Sequence, residues 1–373
     1  MRYSFTIVLT LFSFLAFLSV GAFAQHQFKF ANEKTLVPAG NSPQNPEIAW
    51  DGTNFGIVYD DFDFGQSSSG VYFLIVNTNG QVVQGPIKIN AKAFALYPKI
   101  VWTGSAYGIL YTAGVKSGTQ FELKHYLARV NAGGNKLGEN ELVGDSTSSY
   151  YTQFAELLWS GSRYGIFYCA DPKKTFTWAY EHPLFCTADA SGKPSDVKQV
   201  YDSYIENFDV VWDGKNYVVA CIGSFSSWYK QGVVQVLVLD INGAVTKVKS
   251  VIGFAPVNSC AGASIVPIKK KNSYLLTFGV YFPTETARAS ATNKVGDLFS
   301  SNFSVKKSGI TGLAPRNVTE MEPETWLNAT LIKAGNNCYI VSRSGESSAC
   351  DFEFAQLNSS GEIISSPLHK DFG

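Results

Sequence analysis

Charge is scarce in this chain. Only 16% of the 373 residues are charged, and 30 basic side chains cancel 30 acidic ones. No basic block stands out, which argues against a nucleic-acid partner. Histidine is rare too: His26, His125, His182 and His369, no two of them at metal-ligand spacing. There is no H-E-x-x-H, G-x-S-x-G, phosphate loop or dinucleotide fingerprint. Metallohydrolase, serine hydrolase and nucleotide-dependent chemistry therefore lack their usual signatures. No C-x-x-C spacing occurs, which removes the common zinc and thiol-redox motifs. After the amino-terminal stretch, no run reaches the ~18 unbroken apolar residues a membrane helix needs.

That stretch has its own meaning. Arg2 precedes an apolar run from Phe5 to Phe23, and Ala22-Phe23-Ala24 stands before Gln25. A basic start, an apolar run and an A-x-A end make a secretory signal peptide, with cleavage expected after Ala24. No Cys follows the cut, so a lipid anchor is not expected. Residues 1–24 are read as leader and residues 25–373 as one exported domain, secreted or periplasmic, monomeric and off the membrane. Six cysteines remain: Cys169, Cys186, Cys221, Cys260, Cys338 and Cys350. An even count in an exported chain favours disulfides. Sequence neighbours suggest Cys169–Cys186, Cys221–Cys260 and Cys338–Cys350. Each bridge would add about 2–4 kcal/mol by restricting the unfolded chain.

A cassette of Trp, Gly and a second aromatic recurs four times. The copies are Trp50-Asp51-Gly52-Thr53-Asn54-Phe55, Trp102-Thr103-Gly104-Ser105-Ala106-Tyr107, Trp159-Ser160-Gly161-Ser162-Arg163-Tyr164 and Trp212-Asp213-Gly214-Lys215-Asn216-Tyr217. They follow at intervals of 52, 57 and 53 residues. Strand-like segments at such a period are the mark of a propeller blade. In the first copy the pattern predicts strands over 46–50, 55–59, 71–76 and 81–89. A second turn family closes each repeat: Asn77 to Gly80, Asn131 to Gly134, Asp189 to Gly192, Asp240 to Gly243 and Asn358 to Gly361. Two turn families at fixed phase give a four-stranded antiparallel meander. Two weaker copies put Lys269 and Lys333 in the Trp place. The fold class is thus all-β, a six-bladed β-propeller with seven blades as the alternative. Blades start near residues 46, 98, 155, 208, 265 and 329. The repeated Trp is expected to fill the wedge between neighbouring sheets. The segment 283–309 is polar and poorly patterned, and is expected to carry an extended loop. Closure is open at this point: residues 35–38 and 362–369 both resemble a fourth strand for the last blade.

The cassette Ile48-Ala49-Trp50-Asp51-Gly52-Thr53-Asn54-Phe55 resembles a loose group of secreted bacterial propeller repeats that read P-x-I-A-W-D-G-x-x-Y-x-V-V-W. The resemblance covers the first four blades well and the last two poorly. It implies an exported β-propeller. The group has no single activity, so it assigns no functional residue. The S-x-D-x-G-x-x-W box of sialidases, the kelch double glycine and the WD40 signature are absent.

Strand alternation puts the short turns at one end of every blade and the long connections at the other, where binding normally occurs. Three residues before each Trp stand Glu47, Lys99, Glu156 and Asp209, with Val266 and Thr330 at the aligned places in the weak copies. They are expected at the entrance of the innermost strand. Charges in an otherwise apolar strand need partners or solvent. One account is solvation with salt bridges such as Glu47–Lys99. The other is a ligand site with converging carboxylates, in which two of Glu47, Glu156 and Asp209 act as acid and base on a glycan. The long connections add Asp61, Asp63, Trp178, Tyr204, Trp228 and Tyr229. Aromatic faces beside carboxylates suit sugar rings. The Asp60 to Asp63 run offers hard oxygens for calcium, but lacks the Gly and Glu of an EF-hand loop; no metal site is assigned and no cofactor is expected. The first reading is a binding propeller for carbohydrate or an extracellular protein surface. A glycan hydrolase or lyase, and a scaffold or adhesion protein, are the alternatives.

Overall fold

A computed structural model describes residues 34–37, 43–61, 70–90, 94–117, 120–142, 155–170, 182–201, 204–224, 233–252, 260–268, 271–282, 295–318, 329–344, 351–364 and 368–370. These are all strand, turn or irregular chain, in six antiparallel sheets that make a six-bladed β-propeller. The first blade is β1 (Pro43–Trp50), β2 (Phe55–Asp61), β3 (Gly70–Val76) and β4 (Val82–Lys88). The second is β5 (Phe94–Trp102), β6 (Ala106–Ser117), β7 (Gln120–Asn131) and β8 (Lys136–Glu141). The third is β9 (Ala155–Trp159), β10 (Arg163–Ala170), β11 (His182–Asp189) and β12 (Lys198–Gln199). The fourth is β13 (Tyr204–Trp212), β14 (Tyr217–Ser224), β15 (Val233–Leu239) and β16 (Val245–Ile252). The fifth is β17 (Cys260–Pro267), β18 (Ser273–Phe282) and β19 (Val295–Lys306), whose last position is shared by β20 (Gly309–Thr311) and β21 (Arg316–Asn317). The sixth is β22 (Thr330–Ala334), β23 (Asn337–Ser344), β24 (Asp351–Leu357) and β25 (Leu368–Lys370). Blades one to three form one compact unit and blades four to six another.

The turns explain the spacing. In the first turn of blades one and four, Asp51 Oδ1 accepts the amides of Thr53 and Asn54, and Asp213 Oδ1 those of Lys215 and Asn216. Thr103 and Ser160 do the same work with a hydroxyl. In the second turn, Asn77, Asn131, Asp189, Asp240 and Asn358 each accept through Oδ1 from the amides two and four residues on, at 2.8–3.0 Å. An Asx side chain that mimics backbone fixes the turn, and hence the strand register on either side.

Each sheet buries both faces. In blade one, Val58, Phe73 and Ile75 pack with Tyr107, Ile109 and Tyr111 of blade two. The alternate residues Ile57, Tyr59, Leu74 and Val76 pack with Leu36 and Val37. Strand pleat sends successive side chains to opposite faces, so one strand serves two cores. The same alternation builds cores between blades two and three, four and five, and five and six. The fourth strand of the last blade is β25, which pairs with β24, while Leu36 and Val37 pack on blade one.

Three expectations are corrected. Within each unit the centre of the wedge between blades is filled by the second aromatic of the cassette, and Trp102 and Trp159 pack only at its margin. Tyr107, Tyr164 and Tyr274 are fully buried, whereas Trp50 is 45% exposed. Each Trp instead lies beside that aromatic, with ring centroids 4.6–4.9 Å apart. A Cβ on Gly56 would stand 2.3 Å from the Tyr107 ring, and one on Gly108 2.3 Å from Tyr164. Glycine is therefore the floor on which the next blade's tyrosine lies. The Tyr107 hydroxyl donates to Asp51 Oδ2 at 2.7 Å, and the Tyr274 hydroxyl to Asp213 Oδ2.

The disulfides are the second. Cys169, Cys186, Cys221 and Cys338 are buried thiols outside any bridge. Cys186 shares a core with Tyr164, Ile166 and Tyr168, so Cys169, one residue out of phase, points to the other face. Likewise Val218, Ala220 and Ile222 face blade five, and Cys221 faces away from the strand that carries Cys260. The side chains of Cys260 and Cys350 lie outside the described residues. Third, the segment read as poorly patterned is regular strand β19 from Val295 to Lys306, while residues 283–294, where an extended loop was expected, lie outside the described residues. Phe299, Phe303 and Val305 alternate into the core, and the polar look comes from buried serines such as Ser300, whose hydroxyl donates to the Gly361 carbonyl at 2.9 Å.

Candidate functional site

Within each unit the first strand of a blade lies next to the first strand of the following blade: β1, β5 and β9 in one, β13, β17 and β22 in the other. Three residues before the hairpin, one register runs through all six. Glu47 pairs with Val58, Lys99 with Leu110, Glu156 with Phe167, Asp209 with Ala220, Ser264 with Thr277 and Thr330 with Val341. All six are polar. Ser264 takes the place assigned above to Val266, because Pro267 rather than Lys269 pairs with Tyr274. The fifth hairpin is two residues longer than the others, so counting back from Tyr274 landed two residues late. The strands also start earlier than read: β1 and β5 begin with an extra residue bulged into the ladder, which puts Glu47 and Lys99 inside the strand instead of at its entrance.

In the first unit this register is an ion-pair chain. Lys99 Nζ lies 2.6 Å from Glu47 Oε1 and 3.2 Å from Glu156 Oε1. Burial works against the ammonium charge, but attraction to Glu156 and Glu47 and their hydrogen bonds outweigh it, so the Lys99 pKa is raised. One ammonium thus ties three blades. In the second unit the tie is made without a cation. Asp209 Oδ2 accepts from the Ser264 hydroxyl at 2.9 Å and from the Ile265 amide at 2.8 Å. Ser264 Oγ in turn accepts the Leu331 amide at 3.0 Å. Two residues earlier, Asn207 Oδ1 accepts the Ala263 amide at 3.1 Å.

A second polar cluster stands where blades one and two meet. Asp60 is fully buried at the end of β2. Its Oδ2 accepts from Asn45 Nδ2 at 2.9 Å and from the Tyr97 amide at 2.8 Å. Asn45 and Tyr97 both have left-handed backbone, φ 48° and 55°, an uncommon state for a side-chain-bearing residue and a costly one for Tyr. Burial pushes the Asp60 carboxyl up to about 6, against the hydrogen bonds from Asn45 and Tyr97, and the Asp61 charge adds to the rise.

The structure therefore gathers Glu47, Lys99 and Glu156 into one group, and joins Asp209 to Ser264 in the other unit. Asp61 ends β2 opposite Gly70, and Tyr204 opens β13 opposite Ser224; the Tyr204 side chain, and Asp63, Trp178, Trp228 and Tyr229 entirely, lie outside the described residues. Among the described residues, no three His, Cys, Asp or Glu side chains are grouped to hold a metal ion. Sequence reading missed Ser264 and the role of Asp60. The Gly262-Ala263-Ser264 run, in phase with Tyr97-Pro98-Lys99, was the signal for the first.

Comparison with known proteins supports the class of fold. Hydrazine synthase from Kuenenia stuttgartiensis is similar over 83% of this chain and 76% of that chain, at 12% identity and a TM-score of 0.51. Prolyl oligopeptidase B from Galerina marginata is similar over 88% of this chain at 13% identity and a TM-score of 0.47, and this chain spans 43% of it. A subtype N11 neuraminidase-like protein of A/flat-faced bat/Peru/033/2010 is similar over 88% and 86%, at 8% identity and a TM-score of 0.43. At 12% identity the likeness to hydrazine synthase is one of fold alone. No protein-family model and no curated protein matches the chain.

Proposed function

We propose that this chain is an exported β-propeller that binds carbohydrate with the end of its blades that carries the long connections. The observation that supports binding over hydrolysis is the Glu47–Lys99–Glu156 chain. A glycosidase needs two carboxyls about 5–9 Å apart, one giving a proton and one attacking or activating water. Here both glutamates are committed to one ammonium, and Asp209 is committed to Ser264 and Ile265. Committed groups make a rigid polar band within each unit. In sequence, the long connections carry Trp178, Trp228 and Tyr229, residue types that stack on sugar rings. A glycan array probed with the mature chain tests this. Binding to a defined glycan class, lost in Trp228→Ala and Tyr229→Ala variants that keep the wild-type melting temperature, is the expected result. No signal on any glycan would overturn it and leave a protein surface as the ligand.

A further inference from the structure

Asp60 serves neither the inner-strand ion pairs nor the turns. Both donors to its Oδ2 come from the same place in successive first strands: Asn45 and Tyr97 each stand five residues before the cassette Trp. Its Oδ1 is buried and, among the described residues, has no hydrogen-bond partner. A carboxylate in that position keeps one charged oxygen out of water and bare, which is costly. A neutral carboxyl removes the charge yet leaves Oδ2 to hold both donors. The charged and titratable groups on the elements around it are Tyr59 and Asp61 on β2, Glu47 on β1, Tyr97 and Lys99 on β5 and Tyr72 on β3. Lys99 is already balanced by two glutamates, and Asp61 repels a second negative charge.

We propose that Asp60 is a proton-operated latch on the seam between blades one and two, closed when its carboxyl is neutral and strained when it is ionised. The left-handed residues it holds stand two residues before Glu47 and Lys99, so the latch steadies the strands that carry that ion pair. The sign follows from linkage. The folded-state value, about 6, lies above the ordinary 3.8, so the folded chain binds more protons between the two and stability rises as pH falls through that window.

The test compares wild type with Asp60→Asn, which has the shape of the neutral acid, in the mature chain. Carboxyl carbon NMR should show one buried group titrating near pH 6 in wild type and absent from the variant. Wild type should melt higher at about pH 5 than at about pH 7.5, and Asp60→Asn should lose that difference. The Tyr97 amide should exchange about tenfold more slowly at the lower pH once intrinsic rates are removed. If the variant does not fold, the wild-type titration and the Tyr97 amide still decide. No carboxyl titrating between about pH 5 and 7, or a variant with unchanged pH dependence, would overturn the latch. So would calcium that stabilises wild type at neutral pH but not Asp60→Asn, which would mean that a cation rather than a proton serves Oδ1.

Discussion

Gly56 and Gly52 stand four residues apart and serve opposite purposes. Gly52 takes φ 100° in an open turn, with nothing near the position of a Cβ. Gly56 has ordinary strand backbone, but the Tyr107 ring lies on it. Gly52→Ala should therefore cost only backbone strain, about 1 kcal/mol. Gly56→Ala forces a buried ring to move and should cost about 1–3 kcal/mol. Thermal melts of the two variants separate these cases, and equal losses would contradict the packing. Tyr107→Phe isolates the hydroxyl and should cost about 1 kcal/mol. Its effect should depend on pH. Burial raises the Asp51 pKa, but hydrogen bonds from Asn54, Tyr107 and Thr53 lower it further, to below 3.8 overall. A depressed carboxyl gives its stability above the unfolded value and loses it as pH falls through the folded one. The gap between wild type and Tyr107→Phe should narrow in strong acid.

The first strands are apolar elements with a polar band across them, and the band is worth testing as a unit. Lys99→Met leaves Glu47 and Glu156 facing each other without a cation, and should cost about 1–3 kcal/mol. Adding Glu156→Gln should recover part of the loss, because one unbalanced charge is gone. Lys99 has a raised pKa, so its contribution is fully present below 10.5 and fades as pH rises through the folded value. Denaturant melts in alkali should show wild type converging on Lys99→Met. Much of this band was legible in the sequence. Glu47, Lys99, Glu156 and Asp209 were placed by counting back from Trp, which works wherever the hairpin has the same length. It failed at Ser264, where a longer hairpin shifted the count. The bulges escaped for a related reason. An extra residue inside a strand looks like loop to any rule that expects strict alternation, and Asn45 and Tyr97 lie at those residues. Asp60 was visible only as one acid in a run, since burial by a neighbouring blade leaves no mark on the local sequence.

Across the molecule, the repeat period announced the architecture, whereas the cysteines pointed to bridges that do not form. Exported chains often carry disulfides, yet pleat phase puts Cys169 and Cys186 on opposite faces. Alkylation under denaturing, non-reducing conditions should label at least the four buried thiols, and a reductant should leave the melting temperature within about a degree, against the 2–5 kcal/mol a native bridge would forfeit. The seams also have a direction. Tyr107 reaches back to Gly56 and Asp51, Tyr164 reaches back to Gly108, and Tyr274 reaches back to Asp213. Within each unit, every such anchor belongs to the later segment and its socket to the earlier one. A ribosome releases the amino-terminal part first, so a nascent chain carries each socket before the ring that fills it emerges, and assembly can follow synthesis.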